Sequence, residues 1–148
     1  MVDGRWNPIF YLRTSNFYIL TTNQEQKIMK FEDLESWQKA RQLTREVYTL
    51  TRKNEIARDF GLSGQIQRSV VSIMSNIAEG FERWHIQEKL QFYNVARGSS
   101  AETRSLLYVI EDNYPSLSTE AAELRDQSVQ AGRLVTGLIQ STESRKSK

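Results

Sequence analysis

The sequence predicts an all-α protein, an antiparallel up-down four-helix bundle. Three observations carry this. Four segments between Asp33 and Leu138 place apolar residues three or four apart, polar connections separate them, and Gly80 and Pro115 sit where helices would stop. At 148 residues the chain suits one domain and can bury a real core. Four amphipathic helices on short connections favour neighbours that run up and down.

The first helix begins after Asp33, whose carboxylate would cap the exposed amides of the first turn. Its stripe is Leu34, Trp37, Arg41, Thr44, Val47/Tyr48 and Thr51, widened by Ala40, Leu43 and Leu50, and the polar stretch 52–59 ends it. The second carries the ridge Leu62, Ile66, Val70, Ile73, Ile77 and Phe81, broadened by Val71 and Met74. Gly61 and Ser63 mark its start, and Gly80 ends it near Glu79.

The third helix spans about 87–112 and shows Phe92, Ala96, Ser99, Thr103, Leu106/Leu107 and Ile110 on one face, with Leu90, Tyr93 and Val95 beside it. Gly98 stands in its middle, where glycine costs about 1 kcal/mol against alanine. A close approach by another helix at Gly98 would compensate. Asn113 fits a left-handed C-terminal cap, and Pro115 prevents continuation. Ser118 caps the fourth helix, whose stripe is Leu124, Ser128, Ala131, Leu134/Val135 and Leu138.

Residues 1–28 are aromatic-rich and lack a helical period. They read as an extension without stable structure, from an upstream start assignment, with the body running 29–141 and a charged tail over 142–148. The rival reading is a short strand or arm around Phe17–Leu20 that packs on a partner.

Composition excludes much chemistry. With no cysteine there are no disulfides, thiolate nucleophiles or cysteine zinc sites, which suits a reducing cytoplasm. No apolar run reaches the roughly 20 residues of a membrane span, and the start lacks the features of a signal peptide. Lys and Arg number 20 against 18 Asp and Glu, so affinity for phosphate would need local clustering or several copies of one patch.

Glu82 and His85 have the Glu-x-x-His spacing of di-iron bundles, but that site needs the motif twice, and His85 is the only histidine. A surface loop histidine is the expectation, with no catalytic residue, metal or other cofactor. Asn76 and Glu79 stand three apart among apolar neighbours and read either as ligand contacts or as groups hydrogen-bonded across helices or subunits. Arg97 and Arg104 lie two turns apart on the third helix, and Arg68 and Arg83 flank the second. One reading pairs these arginines with Glu102 and Glu79 on a solvated face; the other makes all four nucleic-acid contacts, repeated by symmetry into a basic band. Trp37, Tyr48 and Tyr93 fall on helical stripes or beside them, where packing is the expectation. Val71, Met74, Tyr93 and Tyr108 lie off the main stripes and, left exposed, would form an interface patch.

The opening Phe31-Glu32-Asp33-Leu34 with Trp37-Gln38-Lys39-Ala40 resembles the four-helix bundle proteins first known from intervening sequences in 23S ribosomal RNA genes. The blocks Gly61-Leu62-Ser63-Gly64-Gln65-Ile66, Ser72 to Gly80 and Ala96 to Val109 strengthen the match, which covers about 31–141. The resemblance implies a homo-oligomeric ring, typically a pentamer. From the residues themselves, Asn76, Glu79, Gly80, Gly98 and Ser99 are expected in structural or interface roles. A related branch, the accessory proteins of diversity-generating retroelements, is basic and binds a reverse transcriptase and its RNA. This chain departs from the common pattern at Asn113-Tyr114-Pro115, in place of a glycine-tyrosine turn, and in its near-neutral charge. The expected function is a non-enzymatic oligomeric scaffold for RNA or for a nucleic-acid enzyme such as a reverse transcriptase. The alternative is a homo-oligomeric protein-interaction module without a nucleic-acid role.

Overall fold

A computed structural model describes residues 17–19, 26–28 and 30–145 of the chain. Two short strands, β1 (Phe17–Ile19) and β2 (Gln26–Ile28), pair antiparallel with Phe17 opposite Ile28. β1 falls where the rival reading of the leading stretch places a strand. The Met29 start and the other expectations for residues 1–28 lie outside the described residues, as do residues 146–148 of the tail.

From Phe31 onward the described chain is helical: α1 (Glu35–Thr51), α2 (Asn54–Ala57), α3 (Phe60–Glu82), α4 (Ile86–Asn113) and α5 (Ser118–Glu143). The four long helices pack in a cycle, α1 against α3 and α5, and α4 against α3 and α5. Residue pairs across each seam show neighbours running in opposite directions. Ser69 meets Thr103 while Ser72 meets Ser99 between α3 and α4. Glu46 accepts from Gln127 while Lys53 meets Glu120 between α1 and α5. The result is a bundle-like fold.

Its core follows the predicted stripes except on α1, where Ala40, Leu43, Val47 and Leu50 form the buried seam while Arg41 of the predicted stripe is exposed and Trp37, Thr44 and Tyr48 are half-buried beside it. Leu43, Val47 and Leu50 of α1 face Ile66, Val70, Ile73 and Ile77 of α3, Ala96, Leu107 and Ile110 of α4, and Ala131 and Val135 of α5, all fully buried. Each such large aliphatic contributes about 1.5–3 kcal/mol relative to exposure. Ile56 of α2, also fully buried, inserts from within the stretch expected to be a plain connection.

The helix ends correct the reading of the sequence. Asp33 belongs to a 3-10 turn over Phe31–Asp33, and Leu34 occupies the N-cap of α1 without a side-chain bond. The Phe31 ring meets Trp37 edge-on at 5.1 Å, so aromatic packing fixes this entrance. The side-chain cap is instead Asp59, whose carboxylate accepts from the Leu62 amide at 3.0 Å and so starts α3 one residue before Gly61. Gly80 does not end α3, which continues to Glu82. There Lys89 of α4 donates to the Phe81 and Gly80 carbonyls. Burial pushes the Lys89 ammonium below its usual range. Asn113 is not a left-handed cap but the last residue of α4, its amide donating back to the Val109 carbonyl at 2.8 Å. Ser118 makes no side-chain cap either, because a 3-10 turn over Pro115–Leu117 leads straight into α5.

The close helix approach expected at Gly98 is made elsewhere. Gly98 is exposed, and a Cβ there would meet nothing within 4 Å. The neighbouring hydroxyls form the contact: Ser99 lies 2.8 Å from Ser72, Thr103 lies 2.8 Å from Ser69, and Ser100 donates to the Ser128 carbonyl at 2.8 Å. Small hydroxyl side chains let the backbones approach while satisfying one another, which a buried polar group requires. The glycines that close approach does require are Gly80, against Tyr93, and Gly132, where a Cβ would stand 3.0 Å from the Ser100 hydroxyl.

Candidate nucleic-acid interface

Arg97 and Arg104 lie on the same edge of α4, and the structure brings Arg133 of α5 to them across a shared groove. The groove has a volume of about 490 Å³, is open to solvent, and is lined between the arginines by small residues, Ser100, Ala101, Ser128 and Gly132. Thr136, Gly137 and Gln140 continue its α5 wall. Ser128, which lines it, has a buried hydroxyl oxygen without a hydrogen-bond partner among the described residues.

The charge on this groove has no ion-pair partner among the described residues: none of Arg97, Arg104 and Arg133 has a carboxylate within ion-pair distance. Glu102, expected to pair with the α4 arginines, turns to the other seam, where Gln65 of α3 donates to it at 3.5 Å. Glu111 is engaged by Arg125 at 2.7 Å. On α5 residues 127–142 contain no acidic side chain, and Arg133 is their only charge. The basic field of the groove is therefore local, on a chain whose formal net charge is only +2.

The other two predicted arginines lie elsewhere. Arg68 borders a separate hollow of about 460 Å³ with Tyr48, Gln67 and Val71 on the α1–α3 face, across the core from the groove. Arg83 lies over the Phe92 ring at 4.6 Å and 3.9 Å from the exposed Glu79 carboxylate, as the solvated-face reading expects for that pair. Among the described residues, Asn76 makes no direct bond across helices. Its amide donates to the Ser72 carbonyl of its own helix at 2.8 Å, and Ser72 in turn meets Ser99 of α4. His85 is exposed at the N-cap of α4, and no group of metal-ligating side chains occurs among the described residues.

The expected interface patch is smaller than its four residues. Tyr93 is buried and Met74 packs on the core, whereas Val71 and Tyr108 are exposed. Trp37 and Tyr48 pack on the core from half-buried positions. Arg133 is the residue that reading the sequence missed. The signal for it was the acid-free run around Arg133, with Gly132 and Gly137 beside it, but its pairing with α4 is a long-range fact.

No described helix is long and apolar enough to cross a membrane. The fold is similar to that of a protein of unknown function from the S23 ribosomal protein family of Bacteroides thetaiotaomicron. The TM-score is 0.66 at 20% sequence identity, over 71% of this chain and 95% of that one. No curated protein matches. Residues 32–137, from the 3-10 turn before α1 into α5, match the family model described as 23S rRNA-intervening sequence protein. The chain belongs to the 23S rRNA-intervening sequence protein family.

Proposed function

We propose that the protein is a non-catalytic, homo-oligomeric scaffold that binds RNA along the α4–α5 groove, directly or as the RNA is held by a nucleic-acid enzyme such as a reverse transcriptase. One observation carries this reading: three arginines line one groove with no carboxylate partner among the described residues. Guanidinium groups present forked donors that match phosphate oxygens, and a small-residue floor lets a backbone come close to them. The family name, with its reference to intervening sequences of 23S rRNA, is in keeping with an RNA ligand.

Oligomerisation supplies what one copy lacks. Val95, Tyr108 and Val109 of α4 and Val71 of α3 are each 39–48% exposed, which supports contact with further copies. A ring such as a pentamer would repeat the three arginines and join weak sites into one avid surface. The alternative, a protein-interaction module without a nucleic-acid role, draws on Phe60 and Trp84, the most exposed large apolar side chains.

The test is fluorescence anisotropy with labelled RNA at low ionic strength, beside light scattering. Wild type should bind as an oligomer, and Arg97→Ala/Arg104→Ala/Arg133→Ala should keep its mass and lose the RNA. A wild type that binds no RNA would leave the protein-interaction reading in its place.

A further inference from the structure

We infer that the α4–α5 groove takes the phosphate backbone of base-paired RNA and reads no bases, an inference that rests on the RNA-binding reading above.

The lining of the groove contains no aromatic side chain. Proteins that hold unpaired strands supply flat rings on which successive bases stack. The aromatics adjacent to the groove arginines along α4 lie outside that lining. Tyr93, one turn before Arg97, is 2% exposed and packed inward. Tyr108, one turn after Arg104, has one ring face occupied by the Arg125 guanidinium at 4.5 Å, and Arg125 is anchored by Glu111 at 2.7 Å.

What remains is a set of charges on rigid supports. Arg97 and Arg104 are separated by about 10 Å along one helix axis, and Arg133 faces them from a second helix packed on the first through the bond from Ser100 to the Ser128 carbonyl. Such a frame suits a ligand whose phosphates already stand at regular positions. A paired helix arrives ordered, whereas an unpaired strand would have to be ordered without stacking energy to offset the entropy lost. Recognition by shape and backbone, with little regard to sequence, is how paired RNA is commonly bound.

The experiment compares three probes on the full chain by anisotropy: an RNA duplex of about 16 base pairs, the footprint of shape-reading duplex binders, an oligouridine strand of equal length, and polyglutamate. The duplex should bind at least about tenfold more tightly than oligouridine, a gap of about 1.4 kcal/mol. Two duplexes of unrelated sequence should bind alike, Arg97→Ala/Arg104→Ala/Arg133→Ala should abolish the preference, and the exposed-site control Arg45→Ala should keep it. Equal or tighter binding of oligouridine would overturn this inference while leaving RNA binding intact. Binding of neither RNA would overturn both, and polyglutamate binding in their place would assign the groove to an acidic protein.

Discussion

The ring of Tyr93 lies directly against the backbone of α3 at Gly80. A Cβ on residue 80 would stand 2.5 Å from Tyr93 Cε1 and 3.1 Å from the Cβ of Phe92. Tyr93 is buried, so its ring has no open space into which to swing. Gly80→Ala should therefore overpack the α3–α4 seam and cost about 1–3 kcal/mol, despite alanine's better helix propensity. Thermal unfolding would register this as a midpoint lowered by several degrees; an unchanged midpoint would mean the seam can open without cost.

Gly98 should behave in the opposite way. It is exposed on α4 with nothing near its missing side chain. Gly98→Ala should raise stability by up to about 1 kcal/mol, the helix propensity difference. Chemical denaturation of the variant measures this, and a loss of stability without a change in oligomeric mass would contradict it.

These two glycines show where reading the sequence succeeds and where it stops. The ridge Leu62, Ile66, Val70, Ile73, Ile77 and Phe81 was legible because a 3.6-residue period is a local property; its four central members are buried, and Leu62 and Phe81 pack half-buried at its ends. Whether a helical glycine faces a ring or solvent depends on the partner helix, which no local pattern encodes. Capping failed for a related reason. Asp33 and Asp59 both precede apolar periods, but Phe31 packing on Trp37 set the first entrance and a side-chain bond set the second. The candidate site was half legible. Arg97 and Arg104 share a face of one helix, while Arg133 joins them only through the packing of α5 on α4.

Asp59 joins the start of α3 to the turn before α5. One carboxylate oxygen accepts from the Leu62 amide and the other from the Tyr114 phenol at 2.9 Å. Both bonds, the amide first, hold its pKa below the usual aspartate value, and the bond to Asp59 raises that of Tyr114. Asp59 thus contributes stability that is present above its unfolded pKa, about 4, and is lost as pH falls through its lower folded value. The Tyr114 contribution is present below the ordinary phenol value, about 10, and is lost as pH rises through its higher folded value. Urea midpoints across pH should show Asp59→Asn flattening the acid limb and Tyr114→Phe flattening the alkaline one. Limbs that superimpose on wild type would show that the link contributes nothing.

The most direct measurement of the central claim is the salt dependence of RNA affinity, as the slope of log K against log salt, for wild type and for Arg97→Ala/Arg104→Ala/Arg133→Ala. Each phosphate neutralised adds about 0.7 to the magnitude of the slope on a single strand and about 0.9 on a duplex. Three groove arginines should therefore account for about two to three units per RNA-contacting protomer. The account predicts a steep slope for wild type and one shallower by that amount for the variant at unchanged oligomeric mass. RNA binding whose slope is the same in both proteins would place the phosphate contacts elsewhere and contradict the α4–α5 groove as the site.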